Sequence, residues 1–216
     1  MKNIARMLGL ICVLILAGCA HETLDKRPVQ KLFDEATAYA TAGRIEKAAD
    51  TFMLVRTYYP EHDLAKEALL KTADLYFDKE EYESAIQDYK EFRILYPTDP
   101  KAGYALYRIG MCHSKQILSK ERDQTQTRLA IMTFKTFQRL YPNSAYMDDA
   151  ILNFTEAKKV LACQDLLVGK FYLKRKNYEA ACRRFQDVKK EYPGLGLDDE
   201  ISRLIEQSCN RIQGAL

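Results

Sequence analysis

Tyr58-Tyr59-Pro60, Leu95-Tyr96-Pro97, Leu140-Tyr141-Pro142 and Glu191-Tyr192-Pro193 are one phrase written four times. Each closes a helix, because proline has no N–H to donate and its ring collides with a continuing turn. Twelve residues before the prolines stand Ala48, Ala85, Ala130 and Ala181. Eight before stand Phe52, Tyr89, Phe134 and Phe185, and five before stand Val55, Phe92, Phe137 and Val188. Positions four and then three apart fall on one helical stripe. Its small member lets a neighbouring helix approach, and its aromatic member fills the groove between the two.

The phrase resembles the second helix of a tetratricopeptide repeat. The first helix is visible as Ala36 and Tyr39, Ala73 and Tyr76, and Gly169 and Tyr172, with turns at Gly43-Arg44-Ile45, Glu81-Tyr82 and Asn177-Tyr178. The resemblance implies an all-α fold: a right-handed superhelix of about nine helices in four to five repeats, over residues 29–213. The proline spacings of 37, 45 and 51 exceed the ideal 34 and mark insertions. One is a polar loop around Ser119 to Thr127. The other follows from Tyr146 to Lys176, which has no proline and one glycine, and reads as a single helix of roughly 46 Å. Leu197 to Gln213 closes the array, with Ile201, Leu204, Ile205 and Ile212 on its apolar side.

Composition agrees with helices. Across 216 residues there are nine Gly and six Pro, too few to punctuate a sandwich or barrel every 8–12 residues. At the front, Lys2 and Arg6 precede an apolar run, Met7 to Ala17, that is too short to span about 30 Å of hydrocarbon and reads as an export signal. Without those two cations, 33 basic residues against 30 acidic fall to near balance. That leaves no basic footprint for nucleic acid. Leu16-Ala17-Gly18-Cys19 looks like a bacterial lipobox. It implies a signal peptide at 1–18, lipid on Cys19 (N-acyl and S-diacylglycerol) and a polar tether over 19–28. Ala20, in place of Asp, resembles the sorting signal for the outer membrane. The expected location is that membrane's periplasmic face, with acyl chains contributing about 0.8 kcal/mol per buried methylene.

Within the repeats, Pro97-Thr98-Asp99-Pro100, Tyr104-Ala105-Leu106-Tyr107-Arg108-Ile109-Gly110, Glu121-Arg122-Asp123-Gln124-Thr125 and Tyr141-Pro142-Asn143-Ser144-Ala145-Tyr146 follow in an order that resembles the BamD family, over about residues 28–213. The resemblance implies a periplasmic scaffold of the β-barrel assembly (Bam) complex. Its partners would be a POTRA-containing barrel protein (BamA-like), other assembly lipoproteins and unfolded outer-membrane proteins. The alternative is a pilotin-like or envelope-linking lipoprotein that serves a secretin or pilus system. Three departures stand out: Glu61-His62-Asp63-Leu64 replaces an aromatic turn, Glu121 replaces an Asp, and the family's final helix has no counterpart.

Repeat register turns Phe33, Leu70, Asp74, Phe77, Tyr104 and Tyr107 toward a concave groove of the kind that holds extended peptides. Phe33 and Leu70 fit ordinary packing equally well. Arg184 matches a family position facing the POTRA partner, and a guanidinium–carboxylate fork there suits it; a solvated face is the plainer reading for Arg183 and Arg184. The loop residues Glu121, Arg122 and Asp123 either join that contact or cap the next helix.

Of six cysteines, Cys112, Cys163, Cys182 and Cys209 remain after export and lipidation. Cys182 and Cys209 stand equally far from the turn near Leu195, level on an antiparallel pair. They form a disulfide candidate, or else two small buried residues. There is no zinc-ligand spacing. The three histidines lack partners at catalytic spacing, and phosphate-loop and nucleophile-elbow motifs are missing. The reading is therefore a non-enzyme without metal or cofactor.

Overall fold

The computed structural model describes residues 27–213, so the signal peptide, Cys19 and most of the tether lie outside the described residues. The described residues form helices α1 (Val29–Thr41), α2 (Ile45–Tyr58), α3 (Asp63–Asp78), α4 (Tyr82–Leu95), α5 (Ala102–Lys115), α6 (Thr125–Leu140), α7 (Met147–Lys174), α8 (Tyr178–Glu191) and α9 (Asp198–Gln213), with no strand among them. Each packs on its chain neighbours, and α3 also touches α1 as α7 touches α5. The result is an array of helix pairs whose first members line one side. Among the described residues, no helix is long and apolar enough to cross a membrane.

Two kinds of turn build the array. In the first, Tyr59, Tyr96, Tyr141 and Tyr192 sit at φ between −128° and −134° and ψ between 51° and 60°. The residue before proline is pushed out of the helical region by the proline ring, so each helix stops two residues ahead of its Pro. In the second, Gly43, Glu80 and Lys176 adopt φ of 70°, 62° and 60°. The next N–H, from Arg44, Glu81 and Asn177, reaches back to the carbonyls of Tyr39, Tyr76 and Tyr172. That left-handed closure satisfies carbonyls the ending helix leaves open.

The stripe positions are where the packing happens. Ala48, Ala85, Ala130, Ala181, Phe52, Tyr89, Phe134 and Phe185 are all fully buried. Close approach is tightest where the facing first helix carries glycine: a Cβ on Gly110 would lie 2.6 Å from Phe134, and one on Gly169 would lie 2.4 Å from Phe185. Four apolar clusters result. One lies within α1–α3, one spans α3–α5, one joins α5 and α6 to the first half of α7, and the last joins the second half of α7 to α8 and α9.

The long helix is present at 28 residues, about 42 Å at 1.5 Å per residue. The polar loop ends earlier than its composition suggests, since α6 begins at Thr125. Asp123 accepts the Thr125 N–H at 3.0 Å, and fully buried Gln124 donates to the carbonyls of Ser119 and Arg122 while accepting from the Thr127 hydroxyl at 2.6 Å.

Candidate functional site

Glu67, Leu70, Lys71 and Asp74 recur on one face of α3 at the spacing that stacks side chains. They border three clefts that run into one another. The largest, about 680 Å³, is walled by α3, by Lys101, Gly103 and Tyr104 at the start of α5, and by the Leu140–Tyr146 turn. A second shares Glu67, Leu70 and Lys101 and extends toward Asp63 and Asp99. The third shares Lys71 and Asp74 and extends to Thr37 and Thr41 of α1. Together these neighbouring clefts groove the face formed by the first helices of the first three pairs.

Asp74 anchors the groove's wall. Its Oδ1 accepts from the hydroxyls of Tyr89 and Tyr104, the latter at 2.6 Å. Arg108 donates from Nε to the Tyr89 oxygen at 2.9 Å, and its Nη2 lies 3.5 Å from Asp74. The same guanidinium covers the Phe77 ring at 3.7 Å, a cation–π contact strengthened by partial desolvation. Next along α5, Tyr107 donates to Asp149 at 2.5 Å and stacks on Tyr146, ring centroids 4.7 Å apart. Burial raises the pKa of Tyr89, Tyr104 and Tyr107, and the carboxylates that accept their hydroxyls add to it. All three therefore stay protonated donors, and the two that are not fully buried, Tyr104 and Tyr107, hold their rings in fixed positions.

Of the residues read from the sequence as groove residues, Asp74 and Tyr104 line the largest cleft, whereas Phe77 and Tyr107 line none of the three: Phe77 lies under Arg108, and Tyr107 stacks on Tyr146. Leu70 is 4% exposed and forms the groove's floor rather than a projecting contact. Phe33 is a correction. It is buried edge-on against Phe52 in the first core, because its position on α1 faces α2, and the Lys71 ammonium lies 5.9 Å from its ring centre. Sequence reasoning missed Arg108, Tyr141 and Tyr146. One clue was available: at the position eight before proline three repeats carry Phe and one carries Tyr89, whose buried hydroxyl demands partners.

At the other end, Arg184 lies 3.4 Å from Asp165 of α7, whose other oxygen accepts from Tyr192, and its side chain stays 41% exposed. Arg183 is exposed and pairs with Glu179 on its own helix. Glu121, Arg122 and Asp123 are exposed, and the Arg122 carbonyl accepts from Gln164 at 3.5 Å. The loop and Arg184 thus meet α7 at adjacent residues, while Asp123 also performs the capping described above. Cys182 and Cys209 are joined in a disulfide, Cα atoms 5.2 Å apart. Cys112, buried, has its thiol pushed up to about 12 by desolvation, which leaves it inert.

The histidines in view have structural duties. His62 accepts the Leu64 N–H at the start of α3, and His113, its pKa lowered by burial, contacts Gln126 at 2.7 Å. No group of three or more metal-ligating side chains occurs among the described residues.

The sequence profile of YfiO, described as outer membrane lipoprotein, matches residues 25–208. A Caulobacter vibrioides protein named outer membrane protein assembly factor BamD is 30% identical over 198 residues, which cover 88% of this chain and 65% of that protein, so the relative extends well beyond the match. A Rickettsia prowazekii protein of the same name is 28% identical across 85% of this chain and 74% of its own length. Among solved structures, the crystal structure of MamA aligns with a TM-score of 0.47 at 19% identity, over 83% of this chain and 95% of that one. With a family profile spanning most of its length and relatives of one name, the chain belongs to the YfiO family of outer-membrane lipoproteins, that of the BamD assembly factors.

Proposed function

We propose that the protein is a non-catalytic scaffold of the outer-membrane β-barrel assembly complex, lipid-anchored through Cys19 on the periplasmic face. It docks on the POTRA-bearing insertase through its C-terminal half and holds unfolded outer-membrane protein precursors along the groove on α1, α3 and α5. The observation that carries this reading is the groove itself: the Tyr104 ring fixed by Asp74, the Tyr146 ring stacked on Tyr107, a leucine floor and two lysines, in a chain of the assembly-factor family. Rings whose hydroxyls are already tied cost little further ordering when they receive an aromatic client segment. Asp165 engages one of the five N–H donors of Arg184, which leaves others for a partner carboxylate. The relatives' shared name favours this role over the pilotin alternative.

A photo-crosslinking residue at Tyr104 tests the groove, with exposed Ile94 on α4 as control. Capture of barrel precursors at Tyr104 alone is expected. In parallel, a detergent pull-down should recover a POTRA-containing barrel protein with the native chain, less with Arg184→Gln and none with Arg184→Glu. Equal capture at both crosslinker positions together with unchanged recovery would overturn the proposal.

A further inference from the structure

The turn from α7 to α8 carries Lys174, Arg175 and Lys176 in succession, all exposed and none in an ion pair among the described residues. The nearest acids along the chain are spoken for: Asp165 pairs with Arg184 at 3.4 Å, and Glu179 with Arg183 at 3.1 Å. Beside the cations, Phe171 is 54% exposed and Leu167, one turn earlier on the same face, 40%. The Arg175 guanidinium lies 5.4 Å from the centre of the Phe171 ring.

Fold maintenance does not account for the corner. A cation at the end of α7 complements its dipole, as Lys115 does at the end of α5, but the equivalent ends of α1 and α3 have no basic residue in their last turn. The corresponding residues are Thr41-Ala42-Gly43 and Asp78-Lys79-Glu80, with Lys79 paired to Glu46 and Glu81. On its other side the triplet abuts the N-terminus of α8, where positive charge is disfavoured. A half-exposed aromatic beside a run of unpaired Lys and Arg is what suits a bilayer interface: the ring sits at headgroup depth and the cations reach phosphates.

We infer that this corner is a second membrane contact, separate from the N-terminal anchor: Phe171 and Leu167 seat among the headgroups of anionic phospholipid while Lys174, Arg175 and Lys176 bind their phosphates. Charge complementarity selects the occupant, and membership in an outer-membrane lipoprotein family puts such a surface within reach. Each cation near an anionic surface contributes about 1 kcal/mol, so losing three weakens the contact on the order of 100-fold and reversing them weakens it further.

The chain contains no Trp, so Phe171→Trp installs a single fluorescent reporter, and Ile94→Trp on α4 is its control. The full anchored lipoprotein is reconstituted in phosphatidylethanolamine vesicles with or without phosphatidylglycerol, some carrying brominated acyl chains. The expected result is a blue shift and bromine quenching at residue 171 when phosphatidylglycerol is present. Both should be lost with Lys174→Glu, Arg175→Glu and Lys176→Glu combined, in a variant that retains native helicity, and residue 94 should stay in water throughout. An unquenched Trp at 171 overturns the inference. So does equal quenching in neutral vesicles, which would mean apolar contact alone, or shielding that arises only when an acidic protein partner is added.

Discussion

Replacing Asp74 by Ala strips the acceptor from two tyrosine hydroxyls and a carboxylate from beside Arg108. Tyr89 is fully buried, so its hydroxyl is left without an acceptor, at a cost of about 1–3 kcal/mol. Tyr104 is half-buried and can turn to water, which makes its loss smaller. The ion pair is discounted to under about 1 kcal/mol, because the Asp74 side chain is 36% exposed and Arg108 retains Asp78 at 3.8 Å. Helix propensity returns roughly 0.5 kcal/mol. The net loss is about 2–3 kcal/mol, or roughly 4–12 °C in midpoint for a domain of this size. Asp74→Asn keeps a carbonyl and loses only the charge assistance, about 1 kcal/mol. Urea midpoints, with hydrogen exchange resolving α3 to α5, measure both. On a Tyr89→Phe background the Ala substitution should cost about 1 kcal/mol or more less, since the stranded donor is gone. Equal effects of Ala and Asn, or additivity with Tyr89→Phe, would refute the network as the source of this stability.

Three other outcomes are expected. Gly169→Ala forces a methyl to 2.4 Å from the buried Phe185 ring and should destabilise by about 1–2 kcal/mol after the helix-propensity gain, with partial rescue by Phe185→Leu in a thermal melt. Asp88 has its pKa raised to about 6 by burial, against the pull of Arg56 and with help from Glu91. The native state therefore holds its proton more tightly than the unfolded chain, and the associated stability is complete below pH 3.8 and lost as pH rises through about 6. Asp88→Asn should be the more stable by roughly 1 kcal/mol at pH 7.5, discounted for partial exposure, and equal to wild type near pH 4, as read from urea midpoints. Reducing the Cys182–Cys209 bond, which closes a 27-residue separation, should cost about 3–4 kcal/mol, with hydrogen exchange accelerated in α9 and unchanged in α1 to α5.

The array was legible because its rule is local. A proline, and the residues five, eight and twelve before it, lie within one helix, so a 3.6-residue period suffices to identify them, and all twelve are buried in the structure. The groove was legible only in part, since its wall depends on which helices meet. Tyr89, Tyr104 and Arg108 converge on Asp74 from two other helices, across separations of 15 to 34 residues that no periodicity encodes. Phe33 shows the same limit from the other side: an aromatic on a first helix satisfies groove and core patterns alike, and only the position of Phe52 decides between them. Cys182 and Cys209 were readable because two helices joined by a short turn are the simplest tertiary arrangement.

The long helix α7 has a mechanical consequence. Between the first three pairs every joint passes through a proline turn, where a few dihedrals can yield and the array can flex like a jointed chain. α7 instead threads the third and fourth cores with one unbroken rod of about 42 Å, and its lone glycine is pinned against Phe185. A load applied to α8 or α9 reaches α5 and α6 as rotation of a stiff lever, whereas a load on α1 is absorbed at its hinges. The N-terminal pairs therefore form the compliant arm of the molecule, and the C-terminal pairs its rigid grip.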